Sequence, residues 1–253
     1  MTNAGGFVNI IILGNRQSDT EEKSGSYPAY PAYLAERKSI PVIQRILNSC
    51  EQIHEAKIIF SALESDVQRF KLIDVLKQIS IRTSLRVTPN LTKGSACTAL
   101  LAACELVQDY ELLILSANEI VDIDMVCLLN DFRSMKVDAG TVVFNSIHPR
   151  YSYVQIDDQN YISEIAQRDP ISNTATTGLF WFRKTSEFVQ AAKEMIITRS
   201  PVEGNYYVGL TFNELILNGK KIGFQRIPEG RYIPLKDKIQ STYYQIGAAN
   251  GEI

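Results

Sequence analysis

Residues 8–14 read VNIIILG: Val8, Asn9, three successive isoleucines and Leu13, closed by Gly14. A β-branched run that is apolar toward both sides is the pattern of a strand buried on both faces, as in the middle of a parallel sheet. The pattern returns at Ala56 to Ala62 (AKIIFSA) and Glu111 to Ser116 (ELLILS), with a shorter strand at Leu85 to Thr88. Between these runs the periodicity becomes helical. Pro41 opens one helix with Ile43, Ile46 and Leu47 on one side, and Glu64 to Ile79 carries Val67, Phe70, Leu72, Val75 and Leu76. Lys93 to Val107 (KGSACTALLAACELV) is small and apolar enough for a buried helix. Strand and helix alternating at this spacing predict a parallel sheet with covering helices.

After about Lys136 the pattern changes. Gly140 to Ser146, Tyr151 to Asp157, Tyr161 to Ala166 and Thr177 to Arg183 are closely spaced strands with turn residues such as Asp157-Asp158 and Gln159-Asn160 between them. They predict antiparallel additions, followed by helices at Thr185 to Thr198 and Leu210 to Leu217 and a last strand at Lys221 to Ile227. No Ser/Gly linker divides the chain. The expectation is one domain over residues 1–253, with halves at 1–135 and 136–230 and a tail at 240–253 that frays. The fold class expected is α/β: a single mixed, mainly parallel sheet flanked by helices. Asn15 to Ile40 is long, polar and then Tyr/Pro-rich, which marks it as a functional or irregular connection.

Composition excludes several functions. With 26 Lys+Arg against 28 Asp+Glu the formal charge of the 253 residues is -2, so no general basic field exists to hold nucleic acid or an anionic membrane. The four cysteines, at 50, 97, 104 and 127, form no C-x-x-C pair, which excludes a zinc ribbon. The two histidines, His54 and His148, lie near no nucleophile motif. No run approaches the ~18 apolar residues of a membrane span, and the first residues lack a basic n-region. The expected protein is soluble and cytoplasmic.

In an open parallel sheet, ligands bind beyond the carboxyl ends of the strands. The first loop offers Gly14 and Arg16, but Asp19, Glu21 and Glu22 follow. The segment Gly94-Ser95-Ala96 opens a helix, where unpaired amides and a partial positive charge suit an anion, or where small residues merely pack. At the end of the ELLILS strand stand Asn118 and Glu119, where a Mg²⁺ carboxylate belongs, since this ion takes hard oxygen ligands beside substrate phosphates. Asp122 and Asp124 form a D-x-D pair, although Asp124 is also well placed to cap the next helix.

The pieces NIIILG, SYPAYPAYL…IPVIQRIL, TKGSACTALLAA, LLILSANEIVDID, HPRYSYVQIDD, ISEIAQRDPISNTATTGLFWF and NYYVGLTFNELI, in this order, resemble the sugar-phosphate nucleotidyltransferases, particularly the bacterial surface-polysaccharide branch. The resemblance runs from about Asn9 to Ile227. It implies a nucleotidyltransferase fold, GT-A-like and Rossmann-like, whose first half binds nucleotide and second half binds sugar phosphate. It implies that Gly94, Ser95 and Ala96 contact base and ribose, that Glu164, Asn173, Thr177 and Gly178 line the sugar side, and that Tyr207 and Asn213 lie near the metal.

Four family elements depart from the pattern. The glycine-rich first loop is reduced to Gly14 and Arg16, the Pro-Lys appears as Pro31-Ala32, the strand-end aspartate as Asn118, and the sugar-side Lys-Pro as Asp169-Pro170 with Arg168 beside it. Nucleotidyl transfer depends on positioning and on cations that neutralise phosphate charge. Losing one such group costs about 3–4 kcal/mol of transition-state stabilisation, by analogy with the loss of a single donor. The expectation is therefore a binder of a nucleotide or nucleotide sugar, or a homo-oligomeric or partner-enzyme component of polysaccharide assembly, with ordinary catalysis lost. Two alternatives remain open. One is an active enzyme with relocated ligands: Arg16, Lys38, Glu119, Asp122 and Arg168 in the catalytic roles, with Mg²⁺ held through Asn118 and Asn213. The other is a glycosyltransferase using Asp122 and Asp124.

Overall fold

The structure, a computed structural model, describes residues 6–14, 31–88, 92–228 and 230–235. Strand β1 (Val8–Leu13) is buried at every position. After a 3-10 turn at Ala32–Leu34, the two-residue strands β2 (Glu36–Arg37) and β3 (Ile40–Pro41) make a small hairpin, with Lys38 and Ser39 in the left-handed region. Pro41 then opens α1 (Val42–Glu51), which buries Ile43, Ile46, Leu47 and Cys50. Next come β4 (Ala56–Leu63), α2 (Glu64–Arg69), α3 (Leu72–Ile79) and β5 (Thr83–Thr88). The single helix expected over residues 64–79 is two, because Lys71 takes a left-handed φ of 50° and interrupts the ladder.

Helix α4 (Ser95–Ala103) leads to β6 (Glu111–Ser116), the short β7 (Glu119–Val121) and α5 (Met125–Met135). Then follow β8 (Ala139–Asn145), β9 (Ser152–Ile156), β10 (Ile162–Gln167), β11 (Thr174–Phe182), α6 (Thr185–Ile197), α7 (Thr211–Leu217), β12 (Ile222–Arg226) and β13 (Tyr232–Pro234). The β9–β10 turn is held by Asp157, whose Oδ1 accepts the N–H of Gln159 at 3.0 Å and of Tyr161 at 2.8 Å. This is the local turn chemistry that makes Asp frequent in such positions.

One nine-stranded mixed sheet results. β5, β4, β1 and β6 run parallel side by side, and β11 joins β6 antiparallel. β11 also pairs antiparallel with β8, β12 lies parallel to β8, and the β9–β10 hairpin attaches through Ala175 opposite Tyr153. The isoleucine run divides between two cores. Ile10 and Ile12 face a core containing α1, α3 and α5 residues, and Ile11 and Leu13 face one containing α4, α6 and α7 residues. Burying each such side chain is worth roughly 1.5–3 kcal/mol, which is why an unbroken apolar run, and not an alternating one, builds this strand.

Two three-residue strands escape the sequence reading. β13 pairs antiparallel with β7, Pro234 opposite Glu119 and Tyr232 opposite Val121, as a separate ribbon beside the end of β6. Tyr232 stacks on Phe144 with centroids 4.2 Å apart and meets Tyr151 edge-on.

Candidate functional site

The carboxyl ends of β1, β4 and β6 meet at one rim. Gly14 donates its N–H to the Ser61 carbonyl at 2.8 Å, and Ala117 donates to the Leu13 carbonyl at 2.9 Å, so the chain leaves β1 and β6 at the same level of the sheet. Asn118 is half-buried there; its N–H meets Ser116 Oγ at 3.3 Å, and its carbonyl accepts the Leu235 N–H at 2.9 Å. Arg16 lies outside the described residues.

Glu119, the acid expected to stand in for the strand-end aspartate, is buried. One carboxylate oxygen accepts the Gly178 N–H and the other accepts the Tyr232 hydroxyl at 2.7 Å. Glu119 thus clasps β11 and β13 to the end of β6. Gly178 is needed for this approach, because a Cβ there would overlap the Glu119 carboxylate and lie 2.7 Å from Ser116 Cβ. Burial, followed by the Glu119 charge, pushes the Tyr232 hydroxyl well above its ordinary range, which keeps it a proton donor. Thr177, one position earlier, is buried and accepts the Leu179 N–H at 3.3 Å.

On the other face of the sheet, Gly94 adopts a φ of 98° and precedes α4. A Cβ at Gly94 would run into the Tyr206 backbone. The two segments are laced together: Tyr206 N–H to Lys93 carbonyl at 2.9 Å, Ala96 N–H to Tyr206 carbonyl at 3.0 Å, and Val208 N–H to Ser95 Oγ at 3.1 Å. The glycine and the small residues after it therefore have a packing reason as well as a place at a helix start. Tyr206 stands in the NYYVGL piece, but its contact with Gly94 spans more than a hundred residues and leaves no local signal in the sequence.

Tyr207 links this segment to the sugar-side residues. It lies before α7; burial raises its hydroxyl and the nearby Arg168 guanidinium works against that rise. Arg168 has a left-handed φ of 60° and forms an ion pair with Glu203. Asn213 commits both ends of its amide to β10: Oδ1 accepts the Ile165 N–H at 2.9 Å and Nδ2 donates to the Ile165 carbonyl at 2.8 Å. Glu164 is exposed on that strand, and Asn173 is exposed just before β11. The expected site residues thus form a strand-end group (Asn118, Glu119, Gly178) and a group joined by the Tyr206–Val208 segment (Gly94, Ser95, Ala96, Arg168).

Of the donors expected near Mg²⁺, Glu119 and Asn213 are engaged within the protein. Both Glu119 oxygens accept hydrogen bonds, and the Asn213 amide is held at both ends. Asp124 caps α5, accepting the Cys127 N–H at 2.9 Å, and this bond holds its carboxyl below the usual range. Asp122 of the D-x-D pair lines a cavity of about 270 Å³ between α1 and β7. No group of three or more His, Cys, Asp or Glu among the described residues is arranged to hold a metal ion. Nor is any described helix long and apolar enough to cross a membrane.

Neither a protein-family model nor a curated protein matches the sequence. Solved structures do match the fold. A nucleoside-diphosphate-sugar pyrophosphorylase from Vibrio cholerae RC9 is similar with a TM-score of 0.75 and 17% identity, over 93% of this chain and 98% of that one. A protein provisionally assigned as a glucose-1-phosphate thymidylyltransferase from Bacillus anthracis, solved with sucrose, gives 0.71 and 15% identity over 95% of each chain. The inositol-1-phosphate CTP transferase from T. maritima gives 0.70 and 13% over 98% of this chain and 99% of that one. The mixed sheet, its rim and its helical layers are therefore those of the sugar-phosphate nucleotidyltransferase fold.

Proposed function

We propose that this chain binds a nucleotide or nucleotide sugar at the strand-end rim without ordinary nucleotidyl transfer, and serves surface-polysaccharide assembly as a binding or partner subunit. The observation that carries this reading is the Glu119 clasp. The carboxylate beside Asn118, where the resemblance implies a metal-binding aspartate, is buried and accepts from Gly178 and Tyr232, which supports a role in holding the sheet together. A Mg²⁺-assisted transfer needs at least one such oxygen beside the substrate phosphates. Arg168, offered as a replacement sugar-side cation, is partnered by Glu203.

Binding has separate support. The resemblance assigns base and ribose to the Gly94-Ser95-Ala96 segment, and this segment opens α4, where a helix N-terminus offers partial positive charge. Thermal-shift measurements with the common nucleoside triphosphates and nucleotide sugars should raise the melting temperature by mass action, to the same extent with and without Mg²⁺. Pyrophosphate release from each triphosphate with a panel of sugar 1-phosphates should stay at background. Clear turnover would sink the reading and favour the enzyme with relocated ligands.

A further inference from the structure

The cavity between α1 and β7 lies on the opposite face of the sheet from the α4 start, and its side chains carry a charge pattern of their own. Its volume of about 270 Å³ is below the roughly 300–1,000 Å³ typical of pockets for drug-sized ligands. An occupant must be small. Ile46, Leu115, Met125 and Leu179 supply an apolar surface continuous with the core. Arg45 and Asp122 supply the charges.

These two groups line one cavity and make no ion pair with each other. Arg45 donates through Nη2 to the Arg37 carbonyl at 2.8 Å, while its Nε is shielded from solvent and has no hydrogen-bond partner among the described residues. Asp122 is held by its backbone, N–H to Arg231 carbonyl at 2.9 Å, and its carboxylate has no partner among the described residues. The third charge on the wall, Glu119, is already met by Gly178 and Tyr232.

A phosphate monoester suits this arrangement poorly, since one guanidinium would face two carboxylates and a dianion. A small molecule with one negative and one positive group and an apolar body satisfies every wall. We propose that the cavity is a binding site for a free amino acid with an apolar side chain, its carboxylate on Arg45, its ammonium on Asp122 and its side chain on the Ile46–Leu179 surface. The cavity shares Ser116, Glu119 and Gly178 with the strand-end rim, so this site adjoins the one proposed for the nucleotide.

The test is a thermal-shift screen of the full chain with the standard amino acids, followed by calorimetric titration of the best one. The titration is repeated with its analogues lacking the amine or the carboxylate, and with inorganic phosphate. An apolar amino acid should bind saturably, each single-charge analogue about tenfold or more weaker, and phosphate should compete poorly. Arg45→Gln should weaken the amino acid and its carboxylate-only analogue, and Asp122→Asn the amino acid and its amine-only analogue, with Arg45→Lys recovering part of the loss. Circular dichroism of each variant separates a binding defect from misfolding. Absence of binding by every amino acid overturns the proposal, as does binding that survives both substitutions or tighter binding of phosphate.

Discussion

At the scale of single residues, the rim is governed by what each side chain is already doing. Tyr232 donates to Glu119 inside a buried pocket, so Tyr232→Phe removes a hydrogen bond from a buried carboxylate. The expected cost is about 1–3 kcal/mol, read as a lower urea midpoint with an unchanged slope. Gly94→Ala forces a left-handed backbone onto a side chain that also meets Tyr206; a loss of roughly 1–3 kcal/mol is expected in the same measurement. Cys50, whose thiol burial pushes up to about 12, should resist thiol reagents at pH 8 until the chain unfolds, while exposed Cys104 reacts at once. The identities of these residues were plain in the sequence, but their roles were not. Gly94 could be read as an opening for a ligand, whereas its requirement comes from Tyr206; Glu119 could be read as a catalytic acid, whereas Gly178 and Tyr232, which donate to it, arrive from strands far along the chain.

At the scale of elements, what was readable follows burial. Strands β1, β4 and β6 and helices α1 and α6 announce themselves because long apolar periods are required to fill two cores at once. β7 and β13 do not, since three residues make no period and the ribbon exists through pairing alone. The break between α2 and α3 was equally hidden, for Lys71 is an ordinary helix former except where the chain must turn. Two element-level tests follow. The Asn213 clasp should be visible by hydrogen exchange: Asn213→Ala is expected to speed exchange at the Ile165 amide before the rest of β10 is affected. The α5 cap carries a pH sign. Asp124 titrates lower in the folded chain than when unfolded, so its stabilisation is present above the unfolded value and disappears as pH falls through the folded one. Asp124→Ala should therefore remove part of the acid dependence of stability, measured by urea melts between neutral and acid pH.

At the scale of the whole molecule, β11 binds the two halves together. It pairs with β6 of the first half and β8 of the second, and its Trp181 stacks on Phe132 of α5 and donates its indole N–H to Glu111 at 3.1 Å. Trp181 is the sole tryptophan of the sequence, so its fluorescence reports the junction itself. If residues 1–135 and 136–230 behave as one domain, fluorescence and far-UV circular dichroism should lose signal at the same denaturant concentration. Two separated transitions would show instead that each half melts alone. The same crossing has a consequence during synthesis. β6 emerges from the ribosome with β1 on one side and nothing on the other, because its second neighbour lies beyond Thr174. Until that segment is made, the nascent chain displays an almost wholly apolar strand edge, the kind of surface on which chains join one another. Translation that stalls between Ser116 and Thr174 should therefore yield aggregates in place of a stable amino-terminal fragment, and chaperone occupancy should fall once β11 has left the exit tunnel.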